Sequence, residues 1–100
     1  MKPVKLHPEA KAELFDALAY HEQQRAGLGS ELRRDFDTIV EQVCKNPRGY
    51  AVSDARDIRY ASFRKFSYRL VFIDLADHLW IVAVSHHSRH PRYWAGRLKP

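Results

Sequence analysis

One cysteine, four glycines and no long apolar run mark this 100-residue chain, and each scarcity closes a line of interpretation. With Cys44 alone, no intrachain disulfide can form, which fits a reducing compartment such as the cytoplasm. Cys44 stands beside Val40 and Val43 on an apolar helical stripe, so it reads as a small buried hydrophobe rather than a nucleophile. The apolar runs are much too short to span a bilayer, and no secretory h-region follows MKPVKLHPEA, so no membrane partner is expected. Gly27-Leu28-Gly29 lacks the lysine and the preceding strand of a phosphate loop. Gly-x-Ser-x-Gly is absent, and no paired carboxylates stand in a strand-end context, so hydrolase chemistry of those kinds has no support. His86, His87 and His90 have no cysteine or carboxylate at zinc-like spacing, and neither a metal nor a cofactor is expected.

What is present is a core and a charge. The 45% hydrophobic content supports one folded domain spanning residues 1–100. Seventeen basic residues against twelve acidic give +5 and a pI near 9.6, which favours nucleic acid or an acidic protein as partner.

Read in order, Lys2–His7 predicts a short strand with Val4 and Leu6 on one face. Pro8 and Glu9 suit a helix start, and Ala10, Leu14, Ala17, Leu18 and His21 recur at helical spacing, with Gly27 as the stop. Ser30 is placed to cap a second helix whose stripe is Leu32, Phe36, Ile39, Val40 and Val43, ending at Asn46-Pro47. Arg33, Arg34, Asp35, Asp37, Glu41 and Lys45 read as its solvated face. PRGYAVSDARD, 47–57, reads as a surface loop, and Ile58–Phe63 as a strand. Tyr68–Leu75 and Leu79–Val84 are apolar runs either side of Ala76-Asp77, a β-hairpin. The order β-α-α-β-β-β predicts an α+β fold, a helical hairpin packed on one face of a small, mainly antiparallel sheet.

Both alternating sets of the last two strands are apolar, the pattern of strands covered on both faces. Two helices cover one. The tail, a second copy or another protein must cover part of the other.

The chemistry-bearing residues crowd toward the C-terminal end. Arg59, Arg64, Arg69, Arg89, Arg92 and Arg97 are of the type that grips phosphates bidentately, and Arg59, Arg69 and Arg89 are expected to converge. His86 or His87 could act as acid or base near neutral pH. Tyr93 and Trp94 could stack on bases; for Trp94 the favoured reading is folding back over the uncovered sheet face.

The ordered set HPEAKAELFDALAYHEQQRAGLGSEL, KNP, IRYASFRKFSYRLVFID and IVAVSHHSRHPRYWAGR resembles the RelE/ParE superfamily of type II toxin–antitoxin toxins, also called plasmid stabilisation proteins. RKFSYRLVFID and HHSRHPRYWAGR are nearer the ParE-like side. The resemblance implies a growth-inhibiting toxin neutralised by a cognate antitoxin, with DNA gyrase as target and without nuclease chemistry. Its alternatives are a ribosome-dependent mRNA endoribonuclease and a degenerate member that binds antitoxin but poisons nothing. A nuclease would draw on Arg59, Arg69, His87, Arg89 and Tyr93. Target binding would fall to Arg64, His86, Arg89, Arg92, Trp94 and Arg97. Leu14, Leu18, Phe36, Val40 and Arg69 would meet the antitoxin, with higher-order assembly of the pair a further expectation.

Overall fold

The computed structural model describes residues 2–54 and 57–98. Strand β1 is Val4–Leu6, helix α1 Pro8–Gln24, helix α2 Leu28–Lys45, and strands β2 to β5 are Val52–Asp54, Ile58–Ser62, Tyr68–Asp74 and Leu79–His86. One sheet runs in the order β1-β5-β4-β3-β2, with β1 parallel to β5 and the other pairs antiparallel. The α+β architecture is the expected one, with a fifth strand. The segment read as a loop holds a 3-10 turn, Pro47–Gly49, and the short edge strand β2; residues 55 and 56 lie outside the described residues.

The helical hairpin closes differently from the sequence expectation. Gly27 has the left-handed backbone (φ 91°) anticipated for it, but it is the N-cap of α2, which begins at Leu28 and leaves Ser30 inside the first turn. The missing side-chain cap comes from α1. Glu22 accepts from the Gly27 and Gly29 amides at 3.0 Å, placing a carboxylate at the positive end of α2. Gly29 is buried against α1, where an added Cβ would lie 2.9 Å from the Leu18 carbonyl oxygen. This close approach lets the two helices lie together on the sheet.

Ala10, Leu14 and Ala17 of α1 and Leu32, Phe36, Ile39 and Val43 of α2 pack on Ala61, Phe63, Leu70, Phe72, Leu79, Ile81 and Val84. The opposite face is closed by the tail. Trp94, 1% exposed, seals Ile58, Val71, Ile73, Trp80, Val82 and Ala83, with Tyr60, Tyr93 and Leu98 at the margin. The second cover is therefore the chain's own.

Strand β5 does not alternate strictly. Its register with β4 shifts between Val71 and Phe72, so Val82 and Ala83 both face the Trp94 side. Such a bulge re-aims every later side chain. Val84 and His86 consequently swing to the helix face, whereas simple alternation put Val84 with Trp80 and Val82. β5 also runs two residues beyond the expected Val84.

Candidate functional site

β1 covers the outer edge of β5 only from Leu79 to Ile81, and beyond it the edge groups need other partners. Glu13, on the inward side of α1, supplies one by accepting the Val84 amide at 3.1 Å. Arg97 donates to Glu13 at 3.0 Å and to the Val82 carbonyl at 3.5 Å, and Tyr93 donates its hydroxyl to Glu13 at 2.6 Å. The Trp80 indole donates to the Arg97 carbonyl at 3.4 Å. Glu13 thus straps the tail around the sheet edge.

Burial and the Glu13 hydrogen bond push the Tyr93 phenol up to about 12. Its folded pKa exceeds the ordinary value near 10, so the folded state keeps a proton that the unfolded chain gives up. The Tyr93 contribution to stability is complete below pH about 10 and is lost between about 10 and 12. Alkaline denaturation followed by circular dichroism should show a stability loss in that window that is smaller in Tyr93→Phe; identical pH profiles would remove Tyr93 from the strap.

Two site expectations are corrected here. Arg97 was placed among exposed target-binding groups, but its side chain is only 11% exposed and bound to Glu13, with Glu9 at 3.6 Å. Trp94 is buried and offers no stacking surface to a target. Both hold the tail.

The expected convergence of Arg59, Arg69 and Arg89 also fails. Arg59 pairs with Phe72 across β3 and β4 on the helix face, where it donates to the Tyr50 carbonyl. Arg69, opposite Ser62 and Ser85, belongs to the other face and lies 4.0 Å over the Tyr60 ring. Adjacent positions of a pleated strand point apart. Arg89 leaves the sheet altogether and stacks at 4.0 Å on Tyr93, whose hydroxyl is held by Glu13.

His86 is half-buried on the helix face, edge-on to Tyr68 at 5.0 Å, and its Nδ1 accepts the Ser88 amide at 3.0 Å. Tyr68 also meets His21 at 3.3 Å, and burial raises its pKa, with Tyr20 adding to the rise. His87, His90 and Arg92 are exposed on the tail. Among the described residues no three His, Cys, Asp or Glu side chains gather as a metal-ligand set, and no helix is long and apolar enough to cross a membrane.

The end of the sheet where β3 turns into β4 is basic and rigid. Asp35, read from sequence as solvated, is 5% exposed and accepts the backbone amides of Arg64, Lys65 and Phe66 at 3.1, 2.8 and 3.2 Å. The turn it fixes lies beside the β5 exit, because the His87 amide donates to the Ser67 carbonyl at 3.0 Å. Arg64 and Lys65 stand exposed there with Arg34, around a cavity of about 520 Å³.

On the helices, Leu14 and Phe36 are core residues whose edges line a second cavity of about 310 Å³ with Leu6, Phe15, Lys11 and Arg33. Leu18 and Val40 are half-buried, and Phe15 is 50% exposed on the outer side of α1, with the Lys11 ammonium 5.9 Å from its ring centroid.

These features define a small basic α+β protein with shallow surfaces suited to macromolecules. The family model described as "ParE toxin of type II toxin-antitoxin system, parDE" matches residues 4–91. The chain belongs to this toxin family, and its partner is accordingly a cognate antitoxin. Among solved structures it is similar to the "Chromosomal ParDE TA system from P. aeruginosa", with a TM-score of 0.65 and 16% identity over 86% of this chain and 96% of that one. A comparison with curated proteins finds no match.

Proposed function

We propose that this toxin inhibits growth by binding DNA gyrase rather than by cutting RNA. The observation that carries this reading is the dispersal of the acid/base and phosphate-gripping groups. Arg59 and Arg69 lie on opposite sheet faces, and Tyr93 is tied to Glu13. General acid–base catalysis needs its groups within hydrogen-bond reach of one substrate, and these cannot share one.

The antitoxin lies along the helical hairpin, with an apolar helix face over Phe15 and Leu18 and the cavity edged by Leu14 and Phe36. Helix-in-groove docking uses such a stripe, and acidic antitoxin residues find Lys11 and Arg33 beside it. The target side is the exposed tail after β5, carrying Arg92.

Induction of the toxin in cells tests the reading. Growth arrest should be accompanied by the DNA-damage response and be prevented by co-expressed antitoxin. Arrest without a DNA-damage response, or with antitoxin-insensitive killing, argues against it. His87→Ala separates the two mechanisms further. A nuclease using His87 as acid or base loses about 10²–10⁴-fold in rate, whereas this toxin should keep its potency within about twofold in a dose–growth titration.

A further inference from the structure

We infer that the end of the sheet formed by Arg34, Arg64, Lys65 and Arg89 is a docking surface for the phosphate backbone of duplex DNA. The inference goes beyond gyrase binding, because it requires no protein target.

The first argument is charge. Five cations elsewhere are matched: Arg25 to Glu31, Arg33 to Asp37, Lys45 to Glu41, Lys2 to Asp74 and Arg97 to Glu13. Lys5, Lys11 and Arg48 are also exposed without an ion pair among the described residues, but they stand on three separate elements, β1, α1 and the 3-10 turn, whereas Arg34, Arg64 and Lys65 line one cavity. The carboxylates closest to this end are engaged. Asp35 holds three backbone amides, Glu31 holds Arg25, and Glu13 holds the tail strap. Asp16, beside Arg89, is the remaining acidic neighbour. Among the described residues, the Arg34, Arg64 and Lys65 head groups have no carboxylate partner within ion-pair distance.

Rigidity is the second. Asp35 pins the backbone of the turn and leaves the Arg64 and Lys65 side chains free, so two cations are presented from a fixed base. Stacking on Tyr93 holds the Arg89 guanidinium in the same way. Preorganised groups lose less freedom on binding. The Ser67–His87 hydrogen bond ties this turn to the exit of β5, two residues before Arg89.

The composition of the rim selects the ligand. Protein interfaces draw their energy from desolvated apolar and aromatic anchors and are poor in lysine. The large cavity here is lined by Glu31, Arg34, Asp35, Thr38, Arg64 and Lys65, with no apolar anchor. Interfaces to DNA are polar and strongly cationic. Single-stranded RNA is recognised by open aromatic stacking platforms, and among the described residues no aromatic side chain lines the cavity of Arg34, Arg64 and Lys65. The Trp94 ring is buried, Tyr93 carries Arg89, and the exposed Tyr20 stands on the Arg89 side. Backbone contact to a duplex is what a cationic cavity without aromatic or apolar walls fits.

The test is fluorescence anisotropy of a labelled 20-base-pair DNA duplex with the purified full chain, across 50–200 mM salt. Four phosphate contacts give a log–log slope of about −3.6. Arg34→Gln/Arg64→Gln/Lys65→Gln should weaken binding at least about tenfold and bring the slope near −1, since each lost contact removes about 0.9. Lys5→Gln/Lys45→Gln/Arg48→Gln, with the same change in net charge, should alter affinity less than about threefold. Thermal melts of both variants should match the parent. Absence of duplex binding at 50 mM salt, or equal weakening by the two triple variants, overturns the proposal. Tighter binding of single-stranded RNA or of a polyglutamate peptide through the same three residues reassigns the surface and overturns it too. None of these outcomes touches the gyrase reading.

Discussion

Trp94→Ala is expected to be the most destabilising single change in the tail, costing about 3–5 kcal/mol. The indole is 1% exposed and forms the lid of an entire apolar layer, edge-on to Tyr60 at 6.2 Å. Its removal leaves a cavity over Val71, Val82 and Ala83 that Tyr60 and Leu98 cannot fill. A domain of this size is stable by about 5–15 kcal/mol, so the loss takes roughly a fifth or more of the total. The melting temperature should fall on the order of 20 °C, with heightened binding of a hydrophobic dye. Toxicity should disappear with the fold. Trp94→Phe, which keeps most of the apolar contact, should recover much of the loss. A Trp94→Ala melting curve within a few degrees of the parent would mean that the tail is an ornament on an otherwise complete core.

Asp35→Ala ranks next, at about 3–4 kcal/mol. Each hydrogen bond to a charged acceptor is worth about 1.5–3 kcal/mol, and Asp35 receives three. The sum is reduced because Arg64 and Lys65 are exposed and water can reach part of the released turn. Asp35→Asn keeps a carbonyl acceptor and should lose about half as much. Denaturant midpoints give the energies. Hydrogen exchange at the Arg64, Lys65 and Phe66 amides gives the location, with protection falling there more than in β5. Uniform loss of protection across the sheet would show that Asp35 stabilises the fold without organising the turn.

The main architecture was legible because it rests on periodicity. The stripe through Leu32, Phe36, Ile39 and Val43 and the doubly apolar strands β4 and β5 required two helices on one face and a cover on the other. What escaped were polar residues turned inward and one irregular strand. Asp35 lies three residues after Leu32 and next to Phe36, and Glu13 lies three after Ala10, so both stand on the buried side of their helices. A carboxylate inside an apolar stripe was the available signal for both. The β5 bulge had no such signal, since Val82 and Ala83 are ordinary strand residues without a glycine between them. Its consequence is large, because register decides which face Val84 and His86 serve.

The arginines show the same limit. Their spacing along the chain suggested one cluster, but Arg59 and Arg69 are separated by the thickness of the sheet and Arg97 is drawn into the edge strap. Exposure and pairing, which only the fold reveals, single out Arg34, Arg64 and Lys65 among the described residues as exposed cations without an ion pair around one cavity.

The most direct measurement is made with purified components: toxin added to DNA gyrase on plasmid DNA, and in parallel to translating ribosomes programmed with a defined message. Loss of supercoiling or accumulation of gyrase–DNA cleavage complexes, relieved by the cognate antitoxin, is the predicted result, with the message left whole. Codon-positioned cuts in the ribosome-bound message, with gyrase unaffected, would contradict the account.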